Sequence, residues 1–342
     1  MLVIRHGEVA EILAGRELEV IDVVRFAYRR HAEGRTVVPH SVFLRFPDQP
    51  RNRIIGLPAY LNDGSEPASG TPSPGTAAGM KWIASWPGNI ESNLPRASAT
   101  IIMNSLRTGQ PEAVIEGSLI SARRTAASAA LGASLLLGDR SPDGITLVGC
   151  GLINLEVLRF VAAQFPNLAR VSLFDIDPER AASFAQRCVQ VVPHADVTVS
   201  AQLHGALAAH SLISVATTAA QPYTDLADCK PGSVVLHLSL RDVTAEAVVR
   251  AHNVVDDADH VCRERTSLEL AEQAVGDRRF IDAEIGHLII GDRLWQPDPG
   301  KLVLYSPFGL GVLDIAVAQM VLSIAREEGR GIDIPDFVPA PA

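Results

Sequence analysis

Residues 143–175 read DGITLVGCGLINLEVLRFVAAQFPNLARVSLFD, and no other stretch restricts the fold of this chain as tightly. A short apolar run, Ile145 to Val148, enters a tight Gly149-Cys150-Gly151 turn. An amphipathic helix follows to about Phe165, and a second apolar run, Val171 to Phe174, ends on Asp175. That order of elements predicts a parallel βαβ half-unit with a dinucleotide fingerprint. Gly149 permits the turn, and Gly151 lets backbone N–H groups at the helix N-terminus approach a pyrophosphate, whose charge the helix dipole favours. Asp175 is placed to accept hydrogen bonds from ribose hydroxyls. Its charge would repel a 2′-phosphate, so the expected cofactor is NAD rather than NADP. Asn154 stands where the fingerprint has its third glycine. The pattern therefore rests on the strand before, the helix after and the terminal acid, all of which fall where a dinucleotide needs them.

Beyond Asp175 short apolar runs alternate with helical or loop sequence. Pro178 to Val191 reads as a helix. Val197–Val199, Leu212–Ala216, Val234–Leu238 and Asn253–Val255 read as strands. Such alternation predicts an α/β, doubly wound Rossmann-type domain. Ligands in these sheets sit outside the carboxyl ends of the strands, which places Thr217, Thr218, Ser239 and Asp242 near the nucleotide crevice. Leu152 and Ile153, which open the helix after the glycine turn, and Gly309 in the late turn Ser306-Pro307-Phe308-Gly309-Leu310-Gly311 complete the candidate cofactor set.

The first third has a different character. Leu18 to Gly34 reads as a helix with Val20, Val24 and Ala27 on one face and Gly34 at its C-terminal end. Thr36 to Phe46 and Arg53 to Leu57 flank the turn Pro47-Asp48-Gln49-Pro50, as an antiparallel pair would. Met80–Trp86, Ala97–Asn104 and Glu112–Glu116 are three more expected strands. The Pro/Gly/Ser/Thr tract from Asn62 to Gly79 reads as a mobile loop. Ser118 to Leu137 is a helix of small and apolar residues that leads into the Rossmann strand. The apolar helix from about Leu310 to Glu328 must be largely buried and returns to the first domain. The expectation is thus a β-rich α+β substrate-binding and dimerisation domain, residues 1–123 with 310–342, and an NAD-binding domain, residues 124–309.

Composition narrows the partners. A net charge of −9 without a basic cluster argues against nucleic acid or an anionic membrane. No apolar stretch approaches the length that crosses a bilayer, so the expected location is cytoplasmic and the expected partner a small molecule. Cys150, Cys188, Cys229 and Cys262 are scattered without CxxC spacing, which indicates neither a metal site nor a disulfide framework, but buried reduced thiols.

Three further positions carry possible chemistry. Lys81 lies inside an apolar strand, where a lysine ordinarily snorkels to the surface. Arg123 and Arg124 at the domain junction read also as a solvated pair or as surface salt-bridge formers. Asp242, just past a strand, reads either as a catalytic acid or as a helix N-cap for the residues from Thr244 onward.

Five stretches of the chain carry a resemblance. They are Gly79-Met80-Lys81-Trp82 with Pro87-Gly88-Asn89, Ser121-Ala122-Arg123-Arg124-Thr125-Ala126-Ala127, Gly149-Cys150-Gly151, Asp242, and Phe308-Gly309-Leu310-Gly311-Val312-Leu313-Asp314. In that order, over nearly the whole chain, they resemble the successive motifs of the ornithine cyclodeaminase/mu-crystallin family. Arg53-Ile54-Ile55-Gly56-Leu57-Pro58, Arg96-Ala97-Ser98, Glu116 to Ser121 and Ser239-Leu240-Arg241-Asp242-Val243 resemble most its 2,3-diaminopropionate biosynthesis branch, the N-(2-amino-2-carboxyethyl)-L-glutamate dehydrogenases.

The resemblance implies a homodimer, NAD as cofactor and an amino-acid substrate. Lys81 and Arg124 would hold the substrate α-carboxylate, with Arg96 a candidate for an additional carboxylate. Asp242 would act in acid/base chemistry and water activation, with Lys81 the other catalytic candidate. Gly149, Gly151 and Asp175 would bind NAD. The implied reaction yields 2-oxoglutarate and 2,3-diaminopropionate, a precursor for siderophores or peptide antibiotics. Ornithine cyclodeaminases carry an acid for the distal amine just before the Leu/Met-Pro pair, where this chain has Gly56, so cyclisation loses support. Two other readings stand beside this one. One is another activity of the family, such as ornithine cyclodeamination, alanine dehydrogenation or ketimine reduction. The other is a non-catalytic nucleotide- or ligand-binding protein, against which Lys81, Arg124 and Asp242 together speak.

Overall fold

The computed structural model describes residues 1–65, 75–92 and 94–339. The chain begins with β1 (Leu2–Ile4), α1 (His6–Leu13) and α2 (Glu17–Ala32). Then come β2 (Thr36–Val37), β3 (Val42–Phe46), β4 (Gln49–Leu61), β5 (Ala77–Ser85), β6 (Ala97–Asn104) and β7 (Pro111–Glu116), followed by α3 (Ser118–Leu137). Next are β8 (Gly144–Val148), α4 (Leu152–Gln164), β9 (Arg170–Phe174), α5 (Pro178–Val191), β10 (Asp196–Val199), α6 (Leu203–Leu207), β11 (Leu212–Val215) and β12 (Val234–His237). The last part runs α7 (Ala245–Arg250), β13 (His252–Val255), α8 (Ala258–Val261), α9 (Ser267–Val275), β14 (Ile281–Glu284), α10 (Ile285–Ile290), β15 (Val303–Ser306), α11 (Gly311–Glu327) and β16 (Ile332–Asp333). The protein is of the α/β class. Met1–Arg124 with Leu310–Ala342 form one compact unit and Thr125–Gly309 the other.

In the first unit a mixed sheet runs β16-β1-β7-β6-β5-β4-β2, with β3 added on β4. β1 pairs parallel with β7, and the other ladders are antiparallel. Strand residues alternate between faces. Leu57, Lys81 and Ile101 are register partners on the inner face, and Gly56, Trp82 and Thr100 on the outer. α11 covers the inner face over β4, β5 and β6 and packs beside α2. Its fully buried Val312, Leu313, Ile315, Val317, Val321 and Leu322 each contribute about 1.5–3 kcal/mol by leaving water. Gly79 allows this close packing. A Cβ there would lie 2.2 Å from the Ile102 carbonyl oxygen and 3.1 Å from the Ile315 side chain.

The loop after β4 is shorter than its polar composition suggests, because β5 begins at Ala77 rather than Met80. Alternation hid that start: Ala77, Gly79 and Lys81 share one face, and their small residues serve α11 rather than mark a turn. Residues 66–74 of the tract lie outside the described residues. β4 is likewise longer than its apolar segment, because it begins at Gln49, which pairs with Phe46, and Arg53 pairs with Arg45 across an irregularity in the ladder.

The second unit has an all-parallel sheet in the order β10-β9-β8-β11-β12-β15-β13-β14. Its strand order reverses direction at β8/β11, the switch point at which doubly wound sheets bind ligands. β14 and β15 are absent from the sequence reading. β15 is a four-residue apolar run that enters between β12 and β13 out of chain order, and runs that short carry no period. Among the described residues no helix is long and apolar enough to cross a membrane, and no cluster of side chains suited to a metal occurs.

Candidate functional site

The nucleotide half is built on β8 and α4. Gly149 has φ +93°, and a Cβ on it would lie 2.5 Å from the Ala216 carbonyl oxygen, so the turns after β8 and β11 approach through the missing side chain. Gly151 is the N-cap of α4, and no side chain caps that helix. A Cβ on Gly151 would meet nothing within 4 Å. The first N–H groups of α4, beginning at Leu152 and Ile153, thus lack a capping side chain beside open space, which suits a pyrophosphate. Asp175 ends β9. Its Oδ2 accepts from the Cys150 N–H at 2.8 Å and its Oδ1 from the Asp177 N–H at 3.0 Å, so the turn itself aims the carboxylate.

Asn154 explains the missing third glycine. Its Nδ2 donates to the Val148 and Gly149 carbonyls at 2.9 and 2.7 Å, and its Oδ1 accepts from Ser214 Oγ at 2.7 Å. The buried amide therefore ties β8, the turn and β11 together. Burial pushes the Cys150 thiol up to about 12, so this cysteine inside the turn is an inert thiol rather than a nucleophile. Cys188 and Cys262 are also buried, whereas Cys229 is only half-buried; all four are free.

Across the switch point, Thr217, Ser239 and Asp242 come together. The Asp242 side chain is fully buried. Its Oδ1 accepts from the Thr217 hydroxyl and its Oδ2 from Ser239 Oγ at 2.5 Å, while His237 Nε2 lies 3.5 Å from Oδ2. Burial works to raise the pKa of this carboxyl, but the bonds from His237, Ser239 and Thr217 together hold it below the ordinary value. Asp242 is not the cap of α7, because Thr244 fills that role by accepting from Ala247 N–H. Thr218 is exposed and stands apart from this cluster. The Gly309 N–H donates to Asp256 Oδ2 at 2.7 Å, beside Phe308 N–H on Oδ1 at 2.8 Å. Burial raises Asp256 to about 6.

The first unit brings Lys81, Ser121, Arg124 and Asp314 together. Lys81 does not snorkel; it is 2% exposed, with Nζ 2.7 Å from Asp314 Oδ2 and 3.0 Å from Ser121 Oγ. Arg124, one helical turn after Ser121, places Nε 3.0 Å from Asp314 Oδ1. Burial, and then the neighbouring Arg124, lower the Lys81 ammonium to about 8 against the opposing pull of Asp314. Asp314 was missing from the candidate residues. An acid in the first turn of an apolar helix is ordinarily a partner for the helix dipole, and only the fold brings it to Lys81. Arg123 and Arg124 are both buried and not a solvated pair. Arg123 donates to the Leu13 carbonyl at the end of α1, a structural task.

Arg96 precedes β6 and reaches Ser85 Oγ at 3.4 Å. Ser85 lies four residues beyond Lys81 on the same strand face, roughly 13 Å away at strand rise. Burial lowers the pKa of Arg96, and among the described residues no carboxylate pairs with it.

Gly56 does not stand on the Lys81 side of the sheet, as its place before the Leu57-Pro58 pair suggests. A side chain at position 56 would meet Trp82 and Met80, on the sheet face opposite Lys81. The position on the Lys81 face is Ile55, register partner of Ile83. On that face of β4 the residue before the Leu57-Pro58 pair is thus the apolar Ile55, so this strand offers no acid there for a distal amine, whatever residue 56 is.

The family model for the ornithine cyclodeaminase/mu-crystallin family matches residues 7–329. The chain belongs to this family. It is 29% identical to the N-((2S)-2-amino-2-carboxyethyl)-L-glutamate dehydrogenase of Staphylococcus aureus, over 97% of both chains. Among solved structures, the Thermococcus litoralis Delta(1)-pyrroline-2-carboxylate reductase in complex with NADH and L-proline has a TM-score of 0.88 at 23% identity, covering 98% of this chain and 100% of that one. An archaeal alanine dehydrogenase dimer with bound NAD has a TM-score of 0.85 at 23% identity, covering 98% and 99%. These two likenesses are of fold.

Proposed function

We propose that the chain is an NAD-dependent oxidoreductase acting on a CH–NH bond, and that its substrate is N-(2-amino-2-carboxyethyl)-L-glutamate. Gly149, Gly151, the first turn of α4 and Asp175 would hold the dinucleotide, which supplies a hydride acceptor. Lys81 and Arg124 hold the substrate α-carboxylate, and a forked guanidinium beside an ammonium fixes its orientation. Oxidation of the glutamyl Cα–N bond leaves an imine. Asp242, kept ionised by its hydroxyl and imidazole partners, takes the proton of the attacking water. Collapse then releases 2-oxoglutarate and 2,3-diaminopropionate.

Arg96 carries the choice of substrate. A half-buried cation whose one side-chain partner is the Ser85 hydroxyl gains from an anionic ligand. Asp314 neutralises one of the two cations at Lys81, so that group has two cations less one anion, a single net positive charge. Arg96 raises it to two. The conjugate has three carboxylates, whereas ornithine, alanine and proline have one each. The 29% identity to a dehydrogenase of this conjugate supports the same reading. Replacing Arg96 by methionine tests it. KM for the conjugate should rise by at least tenfold with NAD affinity unchanged, and an unchanged KM would remove the argument for a polycarboxylate.

The same reading makes the protein a homodimer. The outer face of the first sheet presents the exposed Val42, Leu44 and Trp82, with the half-buried Met80, Ile102 and Val114 on the same face, and among the described residues no helix of this chain covers Val42, Leu44 or Trp82. A second copy would bury it through the isologous contact usual in dimers. Sedimentation at micromolar concentration should give a dimer, and a monomer would contradict the assignment.

A further inference from the structure

Asp242 is not held by hydroxyls alone. His237, the last residue of β12, is fully buried and touches the carboxylate from behind. Its Nδ1 lies 3.2 Å from Ser306 Oγ on the neighbouring β15. Its Nε2 lies 3.5 Å from Asp242 Oδ2 and 3.4 Å from the Asp242 backbone nitrogen, whose N–H points at it. Neutral imidazole has one ring proton, so Nε2 either accepts from the Asp242 backbone or donates to its carboxylate. The first state needs the proton on Nδ1, given to Ser306. The second needs Ser306 to donate to Nδ1. Only the imidazolium donates at both ends, and then it faces the carboxylate as a charge.

We propose that His237 is a positioning residue that sets the protonation state and orientation of Asp242, so that the ionising unit of the site is the His237–Asp242 pair with Ser306 behind it. This rests on the role given to Asp242 above. A histidine kept in a dry strand end only to fill space would need neither a carboxylate at one nitrogen nor a hydroxyl at the other. Val215, opposite on β11, is apolar. The Arg241 guanidinium is turned to the Glu264 carbonyl. Asp256 is one strand further, at the end of β13, with its oxygens on Phe308 and Gly309. Tyr223 is a further titratable group here; its phenol lies beside Thr217 and Asp242 and is raised above its ordinary value, first by burial and then by Asp242.

Two substitutions separate the two ends of the ring. In His237→Gln an amide can still reach Asp242, and in His237→Asn it can reach only Ser306. With NAD and the conjugate, Gln should keep kcat within a few-fold and leave the acid limb of the kcat–pH profile in place. Asn should lose roughly tenfold or more in kcat and move that limb to higher pH, with KM for both ligands nearly constant. A structural role would lower the amplitude of both profiles without moving the limb; superimposable limbs would overturn the proposal.

A second measurement needs no turnover. In ¹³C-carboxylate spectra of the folded protein, the Asp242 titration midpoint should be higher in His237→Asn than in wild type, since the imidazole is one of the groups that hold this carboxyl below its ordinary value. Equal midpoints would also overturn the proposal. If Asp242→Asn keeps full turnover, the acid/base role proposed above fails, whereas the ¹³C comparison decides the coupling by itself.

Discussion

Lys81 Nζ lies 2.7 Å from Asp314 Oδ2, in a part of the first unit where neither side chain meets water to any useful extent. The carboxylate is shared with Arg124, so one anion keeps two buried cations together. Removing it would leave like charges facing each other in a low-dielectric site. Asp314→Asn should therefore lose about 3–5 kcal/mol of stability, the usual cost of breaking a buried pair from one side. Urea unfolding measures this. Lys81→Met/Asp314→Asn should be less destabilised than the sum of the single changes, and strict additivity would mean that the pair is not coupled.

The depressed Lys81 pKa has a defined sign. The ammonium is charged below about 8 and neutral above. Binding of the substrate carboxylate should weaken as pH rises through that value, and KM should increase on the alkaline side while NAD affinity holds. Lys81→Arg, which stays charged, should remove the alkaline limb even if it binds less well. The effect on stability runs the other way. Between about 8 and the ordinary 10.5 the unfolded chain holds a proton that the folded one has given up, so this group's contribution to stability grows with pH across that window.

Asp175 supplies the test of cofactor choice. Its charge at the end of β9 should favour NAD over NADP by about a kcal/mol or more, roughly fivefold. Asp175→Asn removes the charge and keeps a carbonyl acceptor for one of the two N–H groups, Cys150 or Asp177, that hold the turn, and should bring the two affinities together. Parallel fluorescence titrations with NADH and NADPH decide it. Equal affinities in the wild-type protein would contradict the assignment.

Much of the second unit was legible because its signals are local. Gly149, the helix after it and Asp175 lie within one βαβ segment, and α3 and α5 show their ends through small residues and an Asp177-Pro178 start. What escaped depends on residues far apart in the chain. The meeting of Lys81 with Asp314 spans 233 positions. The face on which Gly56 lies follows from register against Trp82, so counting back from a Pro cannot locate a contact. Asn154 looked like a lapse from the glycine pattern; its side chain makes three buried hydrogen bonds that no glycine could make. β15 carries Ser306 to His237, and as a four-residue run it had no period to announce it.

The central claim is the reaction on a glutamate conjugate, and one assay reaches it most directly. The purified protein would be incubated with NAD and synthetic N-(2-amino-2-carboxyethyl)-L-glutamate, with NADH followed by absorbance and the products by mass. The account predicts NADH, 2-oxoglutarate and 2,3-diaminopropionate in equal amounts, with kcat/KM for the conjugate at least a hundredfold above that for ornithine, alanine or proline. Proline and ammonia formed from ornithine while the conjugate stays inert would contradict it.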